Sequence, residues 1–406
     1  MIRKTNTLRI EKSTLTGYLF IVVLVFAMAL PMLVLYAIST LGPLLSQDLV
    51  FDSTMLGYLV MSSFGLAAIL SLWSGAIVDF FGARKMLLVI FFTIAIAFML
   101  IASVQTFAGL IMAVAICGIA QALANPVTNF LIAQQVTQEK KAKIVGIKQS
   151  GVQLAALFAG LLLPGIALLY GWRAAFWAIV PVAILFCFST FLVTPKAHVR
   201  ITKGFTYTFP NSLLLWLMCI QFCMGISLSA YVTFLPTFAI QQGMTLFMAD
   251  SLIAVFGVMG MLSRIVLTPV GAKLKDESWL LCILAAIAAG AIVFTMYADI
   301  DRHEWLWLGA ACVGLSAVGT NAIAMSMVIR DSTFGTVTTA SSFISVAFFG
   351  GFALGPPLYA ILADYSGGFL LGWKMLVVVL VCACVLALAL NSARRQSAER
   401  LTAKTI

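Results

Sequence analysis

The sequence predicts an all-α integral membrane protein, with twelve transmembrane helices in two pseudo-symmetric six-helix bundles. Three observations carry that expectation: an extreme composition, twelve apolar runs of membrane-crossing length, and a repeat relating the two halves. Of 406 residues, 63% are hydrophobic and 9% charged, and the mean hydropathy is +1.10. Soluble domains carry about 25% charged residues, and a single soluble core stops growing near about 250–300 residues. Lipid must therefore solvate most of this surface. The composition excludes a soluble enzyme, and it excludes a disordered chain, because disorder needs low hydrophobicity.

A crossing helix needs about 20 apolar residues. Such runs fall at residues 17–42, 57–78, 86–103, 108–134, 146–168, 174–193, 213–238, 249–272, 279–297, 306–329, 338–362 and 373–390, numbered here as spans 1 to 12. Met1 to Leu15 is basic and polar, and the run after it is too long for a signal-peptide core, so it is expected to stay as span 1. The longest connection, 194–212, opens with Thr194-Pro195-Lys196 and holds Gly204 and Pro210. It reads as a linker between an N-terminal half, 1–193, and a C-terminal half, 213–406. All eight cysteines lie inside apolar runs, which argues against a disulfide framework. Cys219 and Cys223 share a helix face, but with no His or carboxylate beside them they read as packing. No metal or cofactor is expected.

The net charge of +10 invites a nucleic-acid reading until the charges are placed. With the N-terminus in the cytoplasm, nineteen of the 24 basic residues fall in cytoplasmic segments. Arg173, Arg302 and Lys374 fall on the opposite side, and Lys148 and Arg264 within spans. That is a strong positive-inside bias. It places both termini in the cytoplasm and removes the support for nucleic-acid binding.

The repeat has a near-constant offset. Pro43 and Gly57 match Pro236 and Asp250 at 193; Gly118 and Asn125 in span 4 match Gly314 and Asn321 in span 10 at 196; Pro164 matches Pro356 at 192. Gly171-Trp172-Arg173 returns as Gly372-Trp373-Lys374. Parallel repeats of this kind imply an axis along the membrane normal and a site between the halves near the midplane.

Between spans 2 and 3 lies Gly75-Ala76-Ile77-Val78-Asp79-Phe80-Phe81-Gly82-Ala83-Arg84-Lys85. This resembles the G-x-x-x-D-x-x-G-x-R-K loop of the major facilitator superfamily, in the position that superfamily uses, and with the twelve spans the resemblance covers essentially the whole chain. It implies a conformational latch of Gly75, Asp79, Gly82, Arg84 and Lys85. Asp79 is expected to meet the positive N-terminus of span 11 near Thr336, with Gly75 and Gly82 allowing close approach. The second copy, Gly271-Ala272-Lys273-Leu274-Lys275-Asp276, puts Lys275 where the Asp would fall, so the latch is expected on one side only. Span 4 lacks the Arg that many members carry, and span 5 keeps only Gly160 and Pro164-Gly165 of the drug-antiporter pattern.

Charges inside spans are costly and usually functional. Arg264 lies fourteen residues from both Asp250 and Ser278, about 21 Å from each, and all fourteen carboxylates lie at or outside span ends. Two readings stand: satisfaction by helix carbonyls, or a fork waiting for a substrate carboxylate. An Arg in this span resembles the monocarboxylate transporters and the oxalate:formate exchanger, although Gly260 replaces the carboxylate found one turn earlier in the former. Lys148 either snorkels to headgroups or serves as a second anion contact. Gln149 and Gln153 on span 5, and Gln121, Asn125 and Asn129 on span 4, form amide stripes suited to oxygen-rich ligands or to helix–helix bonding. Asn125 and Asn321, equivalent by the repeat, are the paired candidates, and Tyr36, Tyr231 and Gln221 complete the expected lining.

The expectation is a secondary transporter of a small organic anion in a bacterial-type inner membrane, a monomer not binding nucleic acid, working by alternating access. The binding set is Arg264, Asn125, Asn321, Gln153, Gln121, Lys148, Tyr36, Tyr231 and Gln221; coupling to protons would use Asp79, Asp250 or Asp331 as carriers, whereas a protonated substrate, anion exchange or facilitated diffusion would need none of them. The competing reading is drug or antibiotic efflux. An integral-membrane enzyme would need a nucleophile, metal ligands or paired carboxylates at common depth.

Overall fold

The computed structural model describes residues 14–51, 55–193, 209–274 and 276–405. Most of the expected linker (194–208) and Lys275 lie outside the described residues. Among those described there is no strand. Twelve helices are long and apolar enough to cross a membrane: Gly17–Asp48, Leu56–Phe81, Ala83–Ser103, Phe107–Gln135, Gln138–Tyr170, Trp172–Val193, Ser212–Gln241, Leu246–Gly271, Ser278–Met296, Glu304–Arg330, Val337–Ser366 and Leu370–Gln396. They coincide with the twelve apolar runs, and the span numbers carry over.

The ends differ where polarity hides a helix or proline interrupts one. Span 5 begins at Gln138 rather than 146, because its first turns read Gln-Glu-Lys-Lys-Ala-Lys, polar sequence with high helix propensity. Span 5 breaks at Leu162, and Pro164 sits in the first turn of the segment that follows, where no intrahelical N–H is required. Span 6 breaks between Trp177 and Val180, just ahead of Pro181. An even number of crossings puts both chain ends on one face, called here the termini face; the other is the far face.

The repeat is visible in the packing. A methyl group on Gly118 of span 4 would overlap the Ser63 carbonyl of span 2, and one on Gly314 of span 10 would overlap the Phe256 carbonyl of span 8. Ser63 and Phe256 are themselves 193 residues apart, so the same helix crossing occurs once in each half.

Two seams join the halves. Span 2 packs along span 11: Gly57 meets the Pro356 backbone near the far face, Phe64 sets its ring at a tilt against Phe349 and Phe352 midway, and Gly75 meets Thr338 and Ser342 near the termini face. Span 5 packs along span 8 in the same manner, with Gly160 against Asp250 and Ala254 at the far end and Gly146 against Arg264 and Thr268 at the other. Backbone-to-backbone contact at both ends of both seams means that neither face is open. The protein stands in an occluded state.

Candidate functional site

A cavity lies between the seams, walled by spans 1, 4, 5, 7, 8, 10 and 11. Its free volume is about 20 Å³, room for about one water molecule. Tyr36, Gln121, Asn125, Gln149, Gln153, Arg264 and Asn321 supply its polar wall. Arg264 is the only charged residue among those lining it, and it is 3% exposed.

Arg264 lies nearer the termini face than loop-to-loop counting places it. Its helix ends at Gly271, seven residues on, so that end is about 10 Å away and the other about 27 Å. Its Nε donates to the Val318 carbonyl of span 10 at 3.1 Å, and its Nη1 to the Gln149 carbonyl of span 5. Both carbonyls are helical, so the guanidinium bridges three spans. Among the described residues, Nη2 has no hydrogen-bond partner and no carboxylate forms an ion pair with Arg264. Helix carbonyls thus satisfy part of the fork and leave one edge open.

The amides divide into two kinds. Gln121 is engaged on both sides: its Oε1 accepts from Ser63 at 3.2 Å and its Nε2 donates to the Pro31 carbonyl at 3.0 Å. It ties span 4 to spans 1 and 2. Gln153 accepts from the Tyr36 hydroxyl at 2.8 Å. A methyl group on Gly260 would stand 2.7 Å from Gln153 Nε2, so the glycine there makes room for this amide. Asn125 Oδ1 accepts from Gln149 Nε2 at 2.8 Å and from Lys148 Nζ at 3.3 Å. That arrangement fixes the orientation of Gln149, because only its NH2 can face an oxygen that already accepts from an ammonium. Gln149 Oε1 is left buried without a partner. Sequence reasoning placed Gln149 on the amide stripe but not in the binding set; helical periodicity gives its face, and only the Lys148 contact reveals its free acceptor.

Three expected lining residues are not in the cavity wall. Lys148 is 0% exposed, so it does not snorkel, and its ammonium binds Thr128 Oγ1 at 2.6 Å, Asn129 Oδ1 at 2.5 Å and Asn125 Oδ1. It lies behind Asn125. Tyr231 turns its hydroxyl to Thr295 of span 9 at 3.3 Å and its ring edge-on to Trp373, inside the C-terminal bundle. Gln221 accepts from Asn321 Nδ2 at 3.2 Å, which positions Asn321 from behind. In each case a hydrogen-bond partner on a neighbouring helix draws the polar end away from the centre.

The latch residues gather at the termini face. Asp79 Oδ2 accepts from Thr338 Oγ1 at 3.1 Å, in the first turn of span 11, where the helix N-terminus favours negative charge. Ser74 and Ser342 oxygens stand 3.1 Å apart beside Gly75. The φ of 84° at Gly82 makes the turn between spans 2 and 3, a conformation that favours glycine. Arg84 covers the Phe191 ring of span 6 at 5.0 Å, and Lys85 is exposed. In the other half, Asp276 pairs with Arg394 of span 12 at 2.9 Å, and Arg394 also reaches Glu277 and Asp331. That cluster closes within its own half.

Asp250 is set apart from the other two expected carriers. Asp79 has Thr338 and Asp331 has Arg394, whereas Asp250 is 0% exposed and neither of its oxygens has a hydrogen-bond partner among the described residues.

Solved structures share this fold. The human organic anion transporter MFSD10 (TETRAN) is 14% identical, with a TM-score of 0.71 over 91% of this chain and 99% of that one. FucP, a Major Facilitator Superfamily transporter solved in the outward conformation, is 16% identical, with a TM-score of 0.65 over 90% of this chain and 98% of that one. No curated protein sequence matches the chain. Residues 18–342 match the family model of the Major Facilitator Superfamily, and with twelve spans around a central cavity the chain belongs to that superfamily: a multi-pass membrane transporter and not an enzyme.

Proposed function

We propose that the protein is a secondary transporter of a small organic anion, working by alternating access in a bacterial-type inner membrane with both termini cytoplasmic. One observation carries the substrate class: a buried guanidinium in the wall of the central cavity, held by two helix carbonyls and lacking a carboxylate partner. A fixed fork with a free edge suits a carboxylate, and burial makes an unneutralised charge costly enough to select for an anion. The reading is in keeping with MFSD10, an organic anion transporter of the same fold. Asp250 is the carrier we assign to protons, because it lacks a partner at the far end of the span 5–span 8 seam, where opening would admit water.

The test is uptake into proteoliposomes of an anion found by thermal-shift screening. Arg264→Ala should lower affinity about 30-fold or more, and Arg264→Lys should not restore it, while both variants stay folded in the membrane. Asp250→Asn should keep exchange of internal for external substrate and lose accumulation driven by a pH gradient. Uptake indifferent to both Arg264 variants would sink the anion site.

A further inference from the structure

Three features of the cavity, taken together, narrow the anion that it would accept. The first is that there is one free cationic edge. Lysine has three donors, and those of Lys148 are matched by Asn125, Thr128 and Asn129. Nothing of that ammonium remains for a ligand, so Arg264 Nη2 stands alone. A second carboxylate on the substrate would be buried against uncharged walls, where it has no counter-ion.

The second is the unpartnered Gln149 Oε1, on a side chain 1% exposed and lining the cavity. A buried acceptor without a donor is a standing cost that a ligand can remove. Arg264 Nη1 is bonded to the main-chain carbonyl of the same residue, Gln149, and both side chains line the one small cavity. An anionic group on Nη2 would therefore lie beside this amide, and the donor that completes it belongs next to the anionic group.

The third is the apolar part of the wall, where Met28 and Met32 of span 1 and Phe348, Phe349 and Phe352 of span 11 line the cavity. Methionine and aromatic side chains suit an apolar or aromatic body of variable shape.

We infer that the substrate is a monoanion with an apolar, aromatic-sized body and a hydrogen-bond donor adjacent to its anionic group, as in a 2-hydroxy acid. The inference rests on the anion reading of Arg264 and extends it to charge, body and donor. The contracted cavity must widen to admit such a molecule, which opening either pair of seam ends would allow.

Four probes separate these elements on the purified, full-length transporter by calorimetry or thermal shift. Mandelate carries all of them; phenylacetate lacks the donor; O-methylmandelate (2-methoxy-2-phenylacetate) keeps the bulk without the donor; phenylsuccinate adds a second carboxylate to phenylacetate. Mandelate should bind about tenfold more tightly than phenylacetate or the methoxy compound, and phenylsuccinate more weakly than phenylacetate. Gln149→Leu should bring mandelate down to the phenylacetate level and leave phenylacetate unchanged. The methoxy comparison needs no variant, so it stands even where Gln149→Leu fails to fold. Phenylsuccinate binding best, equal binding of mandelate and its methoxy analogue, or no binding of mandelate overturns the inference and leaves the anion reading intact. Methyl mandelate binding as well as mandelate, with Arg264→Ala without effect on either, overturns the anion reading itself.

Discussion

Gly260 shows how a single absent side chain shapes the site. It stands one turn before Arg264, and the space a side chain would fill is taken by the Gln153 amide, which Tyr36 holds from the other side. A methyl group there would also meet Val318 Cγ1 at 2.9 Å. Gly260→Ala should destabilise the protein by about 1–3 kcal/mol, the usual cost of overfilling a packed site. Combining it with Gln153→Ala should recover most of that loss, because the clashing amide is gone. Thermal unfolding of the two single variants and the double variant closes the cycle; strictly additive losses would mean that the two residues do not compete for one space. At this scale the sequence was informative about location and poor about engagement. It put Arg264, Asn125, Asn321, Gln153, Gln121 and Tyr36 in one place, because polar residues on helices otherwise apolar must face something other than lipid. It could not separate the cavity's free groups from those already paired. Lys148, Tyr231 and Gln221 each satisfy that periodicity yet find partners on adjacent helices, and helix-to-helix distance is not encoded in spacing along one helix.

The spans act through their crossings, and the two seams are set by glycines at opposite ends. A side-chain carbon on Gly146 would overlap the Arg264 carbonyl, a backbone atom that cannot swing aside, while one on Gly160 would stand 2.8 Å from the Asp250 carbonyl and the Ala254 nitrogen. Gly146→Ala should therefore favour opening at the termini face, and Gly160→Ala opening at the far face. Overpacking of about 1–3 kcal/mol moves a two-state balance by roughly fivefold to 150-fold. The readout is a disulfide between Ser74→Cys and Ser342→Cys, whose native oxygens stand 3.1 Å apart on the span 2–span 11 seam. Its yield should fall in the Gly146→Ala background and hold in the Gly160→Ala background. The same yield in both would show that the seams do not open together. Gly160 was read from the sequence as a remnant of an antiporter pattern; its contact with the Asp250 end of span 8 gives it a packing reason that a motif comparison does not supply.

At the scale of the whole molecule, the fold was legible because lipid makes its demands on every residue of a span. Twelve runs, a charge bias and a repeat near 193 residues leave little choice of architecture, and the Asp79 loop fixes which superfamily uses it. The occluded state was not legible, because the same sequence must also serve the open states and no pattern marks one of them. What closes the cavity is rigid-body contact at four places, two on each face. If transport proceeds by rocking of the halves about the central site, holding one of those places shut must stop it without harming the site. The disulfide at positions 74 and 342 does so at the termini face, where Asp79 and Thr338 already meet. The Ser74 and Ser342 side chains already meet there, their oxygens 3.1 Å apart, so a bond between the two introduced sulfurs asks for only a small shift. The oxidised protein should lose transport almost completely and regain it on reduction with dithiothreitol. It should still bind ligand from the far face, because the Gly57 and Gly160 contacts there remain free to part. Undiminished transport by fully cross-linked protein would mean that the termini face does not open at this seam, and the passage would then have to run between other spans.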